Sequence, residues 1–400
     1  MLLDYEVALK TLLDDIELTL KTEKVSLLEA SGRRLAVPVV AKYDTPSFDN
    51  SAMDGYALCD STGERTEFPV VGRIMAGGSA DFELKEGEAA RIFTGAPTPK
   101  GATTVVIQEH TETETVGDQT VVKLTKPIAI GKNIRYQAEE IKAGDVLFEK
   151  DHYLDPAAIA LCASQGAYEL EVYSAVRATV FSTGDELCEP WETLGANQIH
   201  DANRYQLLSW LKNDFNPRDG GILKDEYEAL KEHLLTASKE NDIILLSGGA
   251  SVGEADFVSK AIRELGELME WRLAIKPGKP FGWGKIGECY IFMLPGNPVS
   301  AYATFYVLVM PVLRKILGKS PRLPQMRAKI AFTKTRIEPR REFLRGTYYV
   351  DENGDYAVKA VEFQGSAMLS GLSHANCLIE MLPNQETREG EWVRIFPLDK

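Results

Sequence analysis

Residues 242–265 read DIILLSGGASVGEADFVSKAIREL. Four apolar residues, 243–246, run unbroken into a Ser/Gly loop. From Phe257 onward apolar residues recur at helical spacing. A short, wholly apolar strand that feeds a helix is the repeating unit of a parallel sheet buried on both faces. The alternation extends in both directions. Residues 176–181 read as a strand, 203–212 and 225–239 as helices, 272–275 and 290–293 as strands, and 298–317 as a long helix. Residues 176–319 are therefore expected to form a doubly wound, mostly parallel α/β domain. Ligands of such sheets bind at the carboxyl ends of the strands.

Four loops should share that edge: Ser182-Thr183-Gly184-Asp185-Glu186, Ser247 to Asp256, Lys276-Pro-Gly-Lys279-Pro280, and Leu294-Pro-Gly-Asn-Pro298-Val-Ser300. They combine glycines, hydroxyls, two lysines and several acids. Loop N–H groups and hydroxyls cradle phosphate oxygens, and Asn297 can cap the helix starting at Pro298. Carboxylates can hold a divalent cation bridging to the anion. One such loop means little, but four together point to a phosphorylated ligand.

The flanks differ in texture. Residues 1–45 and 146–175 are read as an elongated helical linker domain, with helices expected at 5–20, 26–35 and 156–164. The last has Asp155 as N-cap, Pro156 at its first turn and Gly166 past its end. Residues 46–145 hold short β-rich runs between turn signals and read as an inserted β domain. Residues 320–400 follow a Pro-punctuated linker and read as a small, barrel-like β domain without a good helix.

Composition excludes several function classes. The 400 residues are 44% apolar and 26% charged, ordinary for a multi-domain globular chain. Lys plus Arg is 45 against 59 Asp plus Glu, a net charge of −14. No nucleic-acid partner is expected from that balance, although a local cationic pocket remains compatible with it. Five scattered cysteines without a C-x-x-C pair read as reduced thiols. The first residues, MLLDYEVALKTLLDD, lack a basic stretch and a cleavage pattern, so a cytoplasmic protein is expected. No membrane partner is expected either, because the longest apolar stretch, 301–313, is cut by Thr304 and Pro311. The histidines lie far apart with no H-x-x-x-H, so any metal should be a hard ion with oxygen ligands.

Three motif matches compete with this reading. Gly282 to Gly287 fits G-x-G-x-x-G, but a strand follows it instead of a helix, so a hairpin is the better reading. Gly318-Lys319-Ser320 resembles a P-loop end without its first glycine. Gly249-Ala-Ser251-Val-Gly253 fits the nucleophile elbow of serine hydrolases. That chemistry needs a downstream histidine, and only His374 qualifies, in a separate domain.

Longer matches carry more weight. The segments PSFDNSAMDGYAL (46–58), RIFTGAPTPKGATTVVIQE (91–109), NIRYQAEEIKAGD (133–145), FSTGDEL (181–187), NQIHDANRY (197–205), LLSGGASVGEADF (245–257), AIKPGKPFGWGK (274–285), LPGNPVSA (294–301) and FQGSAM (363–368) appear in family order across nearly the whole chain. Through them the sequence resembles the MoeA-type molybdopterin molybdenumtransferases, related to the E domain of gephyrin. The resemblance implies four domains and an elongated homodimer, with a cleft between the α/β domain of one subunit and the inserted β domain of the other. It implies molybdenum cofactor biosynthesis: adenylylated molybdopterin and molybdate as substrates, Mg²⁺ as cofactor, and AMP as product. A molybdopterin adenylyltransferase and recipient molybdoenzymes are the further partners it implies.

By the same resemblance Asp54, Glu186, Asp225 and Asp256 are the catalytic acids, with Glu186, Asp225 and Asp256 holding the metal. Thr94, Thr183, Gly184, Ser247, Gly248, Gly249, Ser251, Gly253, Lys276, Lys279, Pro295 and Pro298 would hold the substrate and its phosphates. Arg345 and Ser366 match positions implicated in molybdate binding, a dianion suited to a guanidinium and a hydroxyl. Two departures stand out. Arg135-Tyr136-Gln137-Ala138-Glu139-Glu140 replaces an Arg-rich stretch ending in Gly-Glu-Asp, and Arg272 stands where lysine is common. A non-catalytic molybdopterin-binding scaffold on the same fold is the alternative, and a hydrolase using Ser251 a remote one.

Overall fold

The structure is a computed structural model that describes residues 2–249 and 257–398. Its central sheet has six strands: β1 (Arg177–Thr183), β2 (Asn216–Leu223), β3 (Ile243–Ser247), β4 (Glu267–Arg272), β5 (Pro280–Ile286) and β6 (Cys289–Leu294). Their order is β2–β1–β3–β6–β5–β4. The first four are mutually parallel, and β5 and β4 add an antiparallel edge.

Successive side chains feed opposite faces of this sheet, as strand geometry requires. Val180, Leu245 and Phe292 enter one core, while Phe181, Leu246 and Met293 enter the other. Of the helices α1 (Tyr5–Asp15), α2 (Pro156–Ser164), α3 (Asn203–Leu211), α4 (Tyr227–Glu240), α5 (Phe257–Leu265) and α6 (Pro298–Thr304), all but α2 flank this sheet, while α2 packs in the linker core with Leu35 and Leu170. Residues from α1, α3 and α6 pack in the first core and those from α4 and α5 in the second. The chain is thus doubly wound, as its apolar strands foretell.

Several elements depart from expectation. Residues 272–275 do not form a parallel strand. The strand there is β4, antiparallel to β5, and Ile275–Lys276 instead pairs with Arg341–Glu342 of the last domain. The Gly282–Gly287 run is a strand and hairpin, because backbones approach closely there. A Cβ at Gly284 would lie 2.0 Å from the Glu267 carbonyl oxygen. Strand β2, NPRDGGIL, was not expected from the sequence, and its Pro and two glycines are poor strand formers. It survives as an edge strand with a register shift beside Val180/Phe181.

Helix α1 stops at Asp15, and its buried Tyr5, Ala8 and Leu12 join the α/β core. Residues 26–35 are not helical. Thr22–Ser26 pairs with Glu169–Tyr173, and turns follow. Leu28 is 83% exposed, so the apolar spacing there never makes a buried face. Helix α2 matches its expectation: the Asp155 carboxylate accepts from Ala158 N–H at 2.8 Å, and Gly166 has φ +70°.

The inserted domain is a six-stranded sheet from Gly55–Leu58 to Gln119–Leu124 with its own core. Its two covalent tethers run side by side, Val39–Val40 pairing with Val146–Phe148. In the last domain Arg341–Val350 pairs with both Tyr356–Ala360 and Cys377–Met381, so five strands close into a barrel. A short helix, Leu369–His374, interrupts it where none was expected. Helix α6 continues to Ile316. That helix is long and apolar enough by composition to cross a membrane, but most of its apolar window is buried within the fold.

Candidate active site at the carboxyl edge of the sheet

The ends of β1, β2, β3 and β6 open into one cleft of about 730 Å³. Thr183, Gly184 and Glu186 arrive from β1, and Asp225 from β2. Ser247, Gly248 and Gly249 arrive from β3, and Pro295 and Pro298 from β6. Nine of the residues singled out in the sequence thus converge. Gly248 makes the convergence possible. Its φ is +97°, and a Cβ there would lie 2.6 Å from the Thr183 hydroxyl oxygen, so only glycine lets these loops touch.

Acidic charge is concentrated at the β1 and β2 ends. The Asp225 N–H donates to the Asp185 carboxylate at 3.2 Å. Burial, then the Asp185 and Glu186 charges, hold the Asp225 carboxyl above its ordinary range. Among the described residues no three His, Cys, Asp or Glu side chains form a ready metal cage. Two neighbouring carboxylates suit Mg²⁺, which keeps several waters and binds through one or two protein oxygens plus substrate phosphates.

Other expected residues lie elsewhere. The Lys276 ammonium does not face the cleft. It sits 3.0 Å from Glu338 and 3.0 Å from Glu342, tying the α/β domain to the barrel. Lys279 is half-buried next to Pro280, which lines the cleft. Arg345 is 1% exposed, and its Nη2 donates to the Phe363 and Gly365 carbonyls at 2.7 and 3.0 Å. That grip fixes the loop carrying Ser366, whose carbonyl accepts from Val299 N–H at 2.9 Å. Asn297 occupies the N-cap position of α6 without a side-chain capping bond. Ser251, Gly253 and Asp256 lie outside the described residues.

Asp54 and Thr94 form a separate, exposed pair in the inserted domain. The Asp54 carboxylate accepts from the Thr94 N–H and hydroxyl, both at 2.8 Å. Those bonds hold its carboxyl below the usual range. Neither residue lines the cleft of its own chain. The altered 135–140 segment bonds to residues 44–49, where the chain enters the inserted domain. Gln137 N–H donates to Asp49 at 2.7 Å, and its side-chain amide to Asp44 at 2.8 Å.

Sequence reasoning missed the polar wall at the start of α3. Asn203 donates to the Ser247 hydroxyl and the Gly296 carbonyl, both at 2.7 Å, and so pins the β3 and β6 loops together. Asp201 accepts from the Ser182 hydroxyl at 2.9 Å. Fully buried Arg204 reaches Glu189 at 2.5 Å, Asp219 at 3.2 Å and Asp201 at 3.3 Å. The segment NQIHDANRY (197–205) was read only as part of the family resemblance, with no role given to Asp201, Asn203 or Arg204. The remaining competitor weakens here, since the His374 Nδ1 bonds the Ser370 carbonyl at 2.7 Å within its own short helix.

Comparison with known proteins agrees with this geometry. Residues 3–166 match the MoeA N-terminal region (domain I and II), 179–315 a probable molybdopterin binding domain, and 327–398 the MoeA C-terminal region (domain IV). The chain is 36% identical over 403 residues to a molybdopterin molybdenumtransferase of Haemophilus influenzae, covering 100% of this chain and 99% of that one. It is 40% identical to a namesake from Nostoc over 74% of this chain and 70% of the relative. A crystal structure of a molybdopterin biosynthesis moeA protein from Pyrococcus horikoshii superposes with a TM-score of 0.84 at 32% identity over 100% of both chains. Full-length similarity, three consecutive domain matches and a shared fold together establish that this chain belongs to the MoeA family of molybdopterin molybdenumtransferases.

Proposed function

We propose that this protein inserts molybdenum from molybdate into adenylylated molybdopterin, releasing AMP and molybdenum cofactor in the cytoplasm. The observation that carries the reading is the cleft itself. Thr183, Ser247 and Gly249 offer hydroxyl and N–H donors at the ends of two strands, beside the acids Glu186 and Asp225, while the Gly248 N–H is held by the Leu294 carbonyl at 3.1 Å.

Hydrolysis proceeds by attack of water on one phosphorus of the phosphoanhydride. The P–O bond to the other phosphate breaks, and the water's protons end on the two phosphates and the solvent. Glu186 and Asp225 are the side chains that would hold Mg²⁺, which when bound supplies charge neutralisation at the phosphate oxygens. Ser247, Thr183 and the Gly249 N–H orient those oxygens. Molybdate is the second substrate. Arg345 holds the loop bearing Ser366 beside the mouth of α6, where the oxyanion is read as docking.

Exposed Asp54 fits a role across a homodimer, in which a second copy closes the cleft. The test is AMP release by purified protein given Mg²⁺ and adenylylated molybdopterin, with and without molybdate. Molybdate-dependent release is expected, and its absence removes the reading. Asp54→Asn should lower turnover by about 10²- to 10⁴-fold with an unchanged urea midpoint, as expected for loss of one positioned carboxylate. Mixing Asp54→Asn and Asp225→Asn chains should restore about a quarter of wild-type activity if the two acids meet across a subunit boundary. No recovery on mixing would place both in one chain's site.

A further inference from the structure

We propose that His200 is the phosphate-recognition residue of this cleft and binds the anion as a cation, taking up a proton as it does so. The proposal rests on the insertase reading for its ligand class, a nucleoside monophosphate or pyrophosphate. The side chains lining the cleft include the acids Glu186, Asp201 and Asp225 and no lysine or arginine among the described residues. Nearby cations do not line it: half-buried Lys279 lies next to Pro280 but is not among the lining residues. Lys224 donates to the Leu187 and Asp185 carbonyls, Lys276 pairs with two glutamates, and Arg204 is buried among three carboxylates. His200 alone among these lining side chains can carry positive charge.

Its orientation is fixed. The Nδ1 lies 3.0 Å from the Glu189 carbonyl oxygen and 3.5 Å from the Cys188 sulfur. A carbonyl can only accept, so Nδ1 carries the hydrogen and the neutral ring keeps its lone pair on Nε2. The Nε2 has no partner among the described residues, and the residue is exposed. Protonation there makes both ring nitrogens donors, one to the carbonyl and one to a phosphate oxygen. The groups around the ring are compatible with this. Cys188 faces His200 in a two-residue strand pair, Leu187–Cys188 with Ile199–His200, and Glu189 follows it. The Glu189 carboxylate is spent on Arg204 and the Tyr205 hydroxyl. Asp201 bonds Ser182, and Glu186 and Asp225 share the cleft.

The test is calorimetric titration of the full-length protein with AMP and with pyrophosphate, in two buffers of different ionisation heat, for wild type, His200→Ala and His200→Gln. Wild type should take up protons on binding. His200→Ala should weaken both ligands about 10-fold, the size of a lost charge-assisted hydrogen bond. His200→Gln, which keeps a neutral donor, should recover part of the affinity but no proton uptake. Unchanged affinity in His200→Ala, or undiminished proton uptake in His200→Gln, overturns the assignment. So does molybdate-dependent AMP release by a wild type that binds neither ligand, and there the insertase reading survives. His200-dependent binding without any AMP release would leave this assignment standing and remove the insertase reading.

Discussion

Asp225→Asn lowers molybdate-dependent AMP release by about 10²- to 10³-fold, the usual cost of deleting one preorganised electrostatic group in an active site. The same substitution leaves the protein as stable as wild type or more so. Both expectations come from one feature. Asp225 stands at the end of β2 with its N–H on Asp185, and its carboxyl is raised by burial and by the Asp185 and Glu186 charges. A carboxyl raised in the folded state costs stability once it ionises, so stability falls as pH climbs from the unfolded value of about 4 through the folded one. Asparagine removes that cost at neutral pH. It also removes the negative charge that would hold Mg²⁺ against a phosphate. Measuring AMP by chromatography and unfolding by urea at pH 8 separates the two effects. Full turnover would take Asp225 off the catalytic list. Lost turnover with a large fall in the urea midpoint would show that its role is structural.

The fold was legible wherever burial was two-sided. The runs 243–246 and 290–293 could be nothing but buried strands, and the loops they feed contain most of the cleft. Edge elements were not legible. NPRDGGIL is a strand only because β1 lies beside it, and ELMEWR is one only because glycines in β5 admit its backbone. Those contacts are tertiary, and local pattern does not encode them. In the site, glycines and acids after strands were readable because backbone cradles have a compositional signature. The fate of Lys276 was not. Its sequence neighbourhood resembles an anion loop, but Glu338 and Glu342, some sixty residues away, take the charge. Asn203 was missed for the converse reason, because a polar residue opening a helix usually caps it and here bridges two loops.

Arg204→Met destabilises the protein by about 3–5 kcal/mol, the usual range when one partner of a buried ion pair is removed. The guanidinium is 0% exposed and Asp201, its neighbour, 1% exposed. Methionine nearly fills the space but leaves the Asp201 carboxylate in the interior with no cation. The contacts to Asp201 and Asp219 are close ion pairs whose Nε lacks hydrogen-bond alignment. The firm hydrogen bond is the one to Glu189, which also accepts from the Tyr205 hydroxyl at 3.0 Å. That bond to Arg204 holds the Glu189 carboxyl below its ordinary range. A lowered carboxyl contributes stability that is complete above the unfolded value, about 4.3 for Glu, and is lost as pH falls through the folded value. The wild type should therefore lose stability in acid below about pH 4 more steeply than Arg204→Met does. Urea unfolding from pH 3 to 8 reads both the offset and the slope. Because Asp201 and Asn203 line the cleft, the variant should also lose AMP affinity under conditions where it is still folded. A variant as stable as wild type would mean that solvent reaches Asp201, and that the wall behind the cleft stands without its buried charge.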